Sequence, residues 1–263
     1  MSTVLITGAT SGLGRYVAFA LVRDGHVVLA HGRDRARTGH LVQELRAEGR
    51  AEGFVADLAS LTEVRDLGAR VAEAHPELDV LINNAGVGAG PRGSGRELSA
   101  DGHELRLAVN YLAPVVLTRA LLPVLRTDPP ARIVNVGSAG QEPLDFTDPE
   151  LTRGYSGVSA YCRSKFALAA HTFTLAEELA GTGVAVNVLH PATYMDTAMV
   201  RDGGITPWHS VADGAPGVLA LATRDTGSGG YYDGTRAARA HEAAYDPEVR
   251  KRLEAVTGQL LAM

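Results

Sequence analysis

The chain has one cysteine, one tryptophan and two lysines among its 263 residues. With Cys162 alone, no intrachain disulfide can form, and a reducing compartment is implied. No charged-then-apolar leader opens the chain. No apolar run reads as long enough to span a bilayer, so the sequence predicts a cytoplasmic protein with no membrane partner. Positive charge is not in excess either. Its 25 basic residues stand against 30 acidic ones, a net charge of −5, which gives no electrostatic ground for binding nucleic acid. The nine histidines show no metal-ligand spacing such as H-E-x-x-H, and no metal is expected. Internal repeats and linkers are also missing. The Gly-rich stretches 86–95 and 227–234 are too short to separate domains, so residues 1–263 read as one.

What is present is an alternation of short β-rich runs with amphipathic stretches. Strands are expected at Val4–Thr7, His26–Ala30, Gly53–Ala56, Val80–Asn83, Arg132–Val136 and Val184–Leu189. Their Val, Ile and Leu content suits strands covered on both faces. Ser60 with Glu63 and Ser210 with Asp213 have capping-box spacing, and Asp246-Pro247 reads as a helix start. Repeated βαβ units imply a parallel, doubly wound sheet.

The first strand runs into Thr7-Gly8-Ala9-Thr10-Ser11-Gly12-Leu13-Gly14, with a helix pattern from Arg15. Glycine allows a tight turn and close approach of the backbone to a pyrophosphate, and the helix N-terminus offers unpaired N–H groups. Far along the chain stands Tyr161-Cys-Arg-Ser-Lys165. Every other basic residue except Lys251 is arginine, yet a lysine follows this tyrosine by one helical turn. An ammonium on the same helix face favours the phenolate, which suits proton transfer near neutral pH. Taken alone, the spacing also fits a solvated helix face, just as Ser138 fits a strand end and Asn110 a satisfied backbone.

Together, Thr7–Gly14, Asn83-Asn84-Ala85-Gly86, Asn110, Ser138 and Tyr161-x-x-x-Lys165 occur in an order that resembles the short-chain dehydrogenase/reductase family, over nearly the whole chain. The resemblance implies a single Rossmann domain with a seven-stranded parallel sheet, its last strand around Tyr231–Asp233. It implies that Tyr161 is the acid/base, that Lys165 lowers its pKa and holds the nicotinamide ribose, that Ser138 binds the substrate oxygen, and that Asn110 supports a proton-relaying water. By the same resemblance Gly8, Thr10, Ser11, Gly12, Leu13 and Gly14 hold the cofactor phosphates. Asp57-Leu58 hold the adenine, Asn84-Ala85-Gly86 form the turn beneath the ribose, and Pro191 with Thr193 or Thr197 faces the nicotinamide.

The second strand ends in Ala30-His31-Gly32-Arg33-Asp34. Gly32 falls where NAD-preferring members place an aspartate, and Arg33 offers a guanidinium to a 2′-phosphate. NADP(H) is therefore expected, with Asp34 as a helix cap and a solvated Arg33 as the plain alternative. The expected activity is hydride transfer between NADP(H) and a carbonyl or alcohol, with a lipophilic ketone as substrate. The other readings are a catalytically silent NADP-binding regulator, an NAD-dependent alcohol dehydrogenase, and an epimerase or dehydratase on a related fold. The short C-terminal region argues against the last. The segment 141–157 reads as an inserted loop similar to that of retinol-dehydrogenase-like members. It either covers an extended apolar substrate, through Leu144 and Phe146, or is a surface insertion. Segment 192–213 reads as a substrate loop with Tyr194 and Trp208, and Met195 and Met199 there read as lid or core. Tyr155 is a second phenol without a lysine one turn on. Family members form homodimers or homotetramers through long helices that would begin near Asp101 and Val158.

Overall fold

The central strands alternate their apolar side chains between two helical layers. Leu5, Leu29, Leu81, Ile133 and Val186 enter one core, whereas Val4, Ile6, Val28, Ile82 and Val134 enter the other. This two-sided burial is why β1, β2 and β4 read as nearly continuous apolar runs. The computed structural model describes residues 1–91, 93–125 and 130–262. Its strands are β1 (Thr3–Ile6), β2 (Val27–Gly32), β3 (Ala51–Val55), β4 (Val80–Asn83), β5 (Ala131–Val136), β6 (Val184–His190), β7 (Tyr231–Asp233) and β8 (Arg236–Ala238). They form one sheet in the order β3-β2-β1-β4-β5-β6-β7-β8. The direction of winding reverses between β1 and β4, the switch point where open α/β sheets bind ligands.

The sheet has eight strands rather than the expected seven. The additional strand, β8, pairs antiparallel with β7 through Tyr231↔Ala238 and Asp233↔Arg236. Its three residues, Arg-Ala-Ala, are exposed and carry no apolar alternation, so nothing local announces them.

The helices are α1 (Gly12–Arg23), α2 (Arg35–Arg46), α3 (Leu61–Ala74), α4 (Leu105–Leu107), α5 (Ala113–Leu121), α6 (Gly157–Glu178), α7 (Ala198–Asp202), α8 (Val211–Thr223) and α9 (Pro247–Leu261). Helices α1, α2 and α8 cover one face, and α3, α5, α6 and α9 the other. α1 begins at Gly12, three residues before the expected start. The Ser60 box is divided: Ser60 Oγ accepts from the Glu63 N–H, but the Glu63 carboxylate accepts from the Asp57 N–H (2.8 Å). At Ser210 the Asp213 carboxylate accepts from the Ser210 N–H at 2.8 Å.

The expectation of no span-length apolar run is corrected. The helical run Leu105–Val124 is long and apolar enough, by length and composition, to cross a membrane. Most of it is buried inside the domain, with α5 packed against α3. Between α4 and α5 this run passes through a π-helical turn, Ala108–Leu112, which carries Asn110.

Candidate active site

The glycine-rich turn is built around contacts that leave no room for side chains. Gly8 has φ +66°, and a Cβ on it would lie 2.8 Å from Ala85 Cα. That closeness locks the turn after β1 to the turn after β4. Thr7 Oγ1 accepts from the N–H groups of Asn84 and Ala85, both at 3.0 Å. Asn84 Nδ2 donates to the carbonyls of Thr7 (2.8 Å) and Gly8 (3.3 Å). Ser11 makes no side-chain capping bond to α1, and no acidic residue stands in the first turn. The N-terminal N–H groups and the positive dipole end are therefore left for an anion.

His31 is a participant the sequence reading passed over. Its Nδ1 accepts from the Gly8 N–H (3.3 Å) and its Nε2 pairs with the Ala56 carbonyl (3.0 Å). Burial holds its pKa down at about 4, so it stays neutral. A polar residue inside an otherwise apolar strand was its only sequence signal.

At the end of β2, a Cβ on Gly32 would lie 2.5 Å from both Thr10 Cγ2 and Thr38 Oγ1. An aspartate there would have to displace both threonines. Asp34 accepts from the Arg37 N–H at 2.8 Å and caps α2, while Arg33 is exposed beside it. Asp57 Oδ1 accepts from the Ala59 N–H (2.9 Å), and Leu58 is buried after β3.

The chemical end lies at the carboxyl ends of β4, β5 and β6. β5 runs through Gly137 into Ser138, whose Oγ accepts from the Gly140 N–H at 3.1 Å. Ser156 caps α6, which carries Tyr161 and Lys165 one turn apart. Burial pushes the Tyr161 phenol above its ordinary pKa, and a hydrogen bond with Ser138 opposes that push. Lys165 Nζ donates to the Val136 carbonyl (2.8 Å) and lies 5.9 Å from the Tyr161 ring centroid. Burial lowers the lysine itself to about 8. Asn110 Oδ1 accepts from the Val87 N–H (2.7 Å), while its Nδ2 donates to the Val87 carbonyl (3.0 Å) and to Ser164 Oγ (2.9 Å). The π turn thereby ties the loop after Gly86 to α6. A Cβ on Gly86 would sit 3.1 Å from Asn110 Oδ1 and 3.6 Å from Lys165 Nζ, so the three converge.

The loop after β6 separates the two threonines. Thr193 Oγ1 is bonded to His190 Nε2 (3.0 Å), whereas the Thr197 methyl lies 3.1 Å from the Cβ position of Gly12. Pro191 packs against Gly214 of α8. Met199 on α7 comes within 3.6 Å of the Cβ position of Gly86, roofing the same cleft. Tyr194 and Trp208 meet edge to face at 4.9 Å, and Trp208 is 68% exposed.

Two expected substrate contacts are placed elsewhere. Leu144 is buried in the core, and Phe146 packs against that core with the Arg252 guanidinium 4.5 Å from its ring centroid. Both are apolar enough to be needed inside, and burial in the core satisfies them as well as a ligand would. Tyr155 donates to Glu104 Oε1 (3.0 Å), and burial pushes its pKa up to about 12, so it serves the loop. A groove of about 550 Å³ between α6, the start of β6 and Arg250 lies away from all these groups. The site is identified by converging polar groups, not by cavity size.

The short chain dehydrogenase family pattern matches residues 2–206. Human retinol dehydrogenase 13 is 33% identical over 287 residues, which cover 99% of this chain and 85% of that protein. The crystal structure of an uncharacterised protein from Mycobacterium paratuberculosis superposes with a TM-score of 0.82 at 30% identity, covering 100% of this chain and 94% of that one. The Pseudomonas aeruginosa RhlG/NADP complex superposes with a TM-score of 0.72 at 27% identity, covering 88% of this chain and 94% of that one.

Proposed function

The chain belongs to the short-chain dehydrogenase family, and from that premise we propose an NADPH-dependent reductase of an apolar ketone or retinoid-like aldehyde, able to run in reverse on the alcohol. The observation that carries this reading is the Tyr161 phenol at the carboxyl edge of the sheet, beside a Ser138 hydroxyl that favours its ionised form, with buried Lys165 one turn on. A bound nicotinamide would supply or accept the hydride. Tyr161, kept protonated by burial, donates its proton to the developing alkoxide, and Ser138 stabilises the same oxygen. The Lys165 ammonium holds the ribose and favours the phenolate once the proton has left. Asn110 fixes the geometry between the ribose turn and α6.

The cradle at Gly32 supports NADPH, because Thr10 and Thr38 fill the space an NAD-selecting carboxylate would need. Arg33 is then the 2′-phosphate ligand and Thr197 the nicotinamide contact. Relatives named for retinol, and the exposed Tyr194, Met199, Ile205 and Trp208 around the mouth, support an apolar substrate.

NADPH oxidation with a panel of retinal and of polycyclic, steroid-like and aliphatic ketones tests the substrate class; turnover of small polar sugars alone removes it. Arg33→Ala is expected to lower kcat/KM for NADPH about tenfold and leave NADH unaffected. A wild-type preference for NADH refutes the cofactor assignment.

A further inference from the structure

The family pattern ends at residue 206, yet the backbone of Ser138 is held from beyond that point. Its carbonyl accepts from the Tyr231 hydroxyl at 3.0 Å and from Gln141 Nε2 at 2.9 Å. Gln141 is itself oriented, because its Oε1 accepts from the His241 N–H at 3.0 Å. The His241 ring meets Phe166 edge-on with centroids 5.7 Å apart, and Phe166 follows Lys165 on α6. Tyr231 opens β7 and pairs with Val188 of β6, so its ring has little freedom. Ser138 needs such support. The β5–β6 register ends at Val136↔Leu189, and the Gly137 N–H makes the last bond to β6, at 2.7 Å to the Leu189 carbonyl. A peptide free to rotate there would swing the serine hydroxyl away from α6, whereas a carbonyl held by two donors cannot turn without losing both.

We propose that Tyr231, together with Gln141, is a positioning residue for the Ser138–Tyr161 pair: by clamping the Ser138 carbonyl, the two fix the direction in which the serine hydroxyl meets the phenol and the substrate oxygen. This rests on the reductase reading and extends it to the C-terminal part of the chain. Burial pushes the Tyr231 phenol up to about 12, so it remains a donor throughout the working range.

Tyr231→Phe keeps the ring and removes only the hydroxyl. With NADPH saturating and the best carbonyl of the panel, kcat is expected to fall about five- to tenfold. KM for the carbonyl and the Kd for NADPH, read from its fluorescence, stay within about twofold. In a Ser138→Ala background the same change adds no further loss, because Tyr231 acts through the serine. An unchanged kcat in Tyr231→Phe, or losses that multiply in the double variant, overturn the proposal. Failure of the underlying reading looks different, because the wild-type chain then oxidises NADPH with no carbonyl of the panel. A crystal structure of Tyr231→Phe decides in that case. A turned Ser138 peptide supports the clamp and an unmoved one refutes it.

Discussion

Lys165 carries a charge into a place with almost no water, and that has a consequence for folding. Burial lowers its pKa from 10.5 to about 8. Below pH 8 both folded and unfolded chains hold the proton, and the fold bears the full cost of the buried charge. Between about pH 8 and 10.5 the unfolded chain holds a proton that the folded chain has released, so this group makes stability rise with pH. The shift corresponds to about 3 kcal/mol as an upper bound. Lys165→Met is therefore expected to stabilise the protein at pH 7 by about 1–3 kcal/mol in urea unfolding. The gain should shrink above pH 8, and no gain at pH 7 would count against the account. At this scale the sequence was informative wherever the chemistry is local. The Asp34 cap, the Tyr161–Lys165 turn and the glycines before α1 lie within a few residues of what they act on. Thr7, His31 and Tyr231 were not legible, because their partners stand 77, 23 and 93 residues away.

The segment 141–157 is a pinned wall, and Glu150 is the pin. Its carboxylate accepts from Arg96 Nη2 (2.7 Å), pairs with His103 Nδ1 (2.7 Å) and accepts from the Glu104 N–H (3.2 Å). Asp148 closes the neighbouring turn on Thr152 and Arg153, and those backbone and hydroxyl donors hold its pKa at about 2. Arg106, 1% exposed, donates to the carbonyl of Gly88 (3.0 Å), joining this wall to the loop that follows the ribose turn. Glu150→Ala leaves the buried His103 ring, the Glu104 N–H and one amino group of the half-buried Arg96 without their acceptor, while Arg96 Nε keeps the Glu150 carbonyl (3.0 Å). It is expected to cost about 1–3 kcal/mol in urea unfolding. It should also raise KM for the carbonyl more than the Kd for NADPH, and a loss confined to NADPH affinity would contradict the wall. Length alone marked this segment as unusual in the sequence. Hydrophobicity marked Leu144 and Phe146 as needing cover, but it does not say whether core or ligand provides that cover.

Across the whole molecule, the C-terminal helix decides which surfaces are free. α9 and the turn before it lie over the π turn and α6. Tyr111 is bonded to Thr257 (2.6 Å), Tyr245 stacks on Phe173, and Leu253 and Leu260 enter the core. α9 packs against α6, one of the two helices through which the resemblance implies a dimer. That docking could not be read from pattern, because it joins residues far apart in the chain, Tyr111 and Thr257 being 146 positions apart. Buried histidines add a dependence on acid. Burial holds His31 and His171 at about 4. Their neutral forms support the fold fully above about pH 6.5, and the support is lost as pH falls towards 4, each contributing up to about 3 kcal/mol. His171→Phe should therefore flatten the fall in urea stability between pH 6.5 and 4.5, and an unchanged slope would refute the assignment. The central claim joins the sheet edge, α6 and the cofactor turn into one proton-transfer site. Its most direct test is turnover of Tyr161→Phe against NADPH binding by the same protein. Turnover is expected to drop at least about a hundredfold with NADPH affinity unchanged; turnover at the wild-type rate would contradict it.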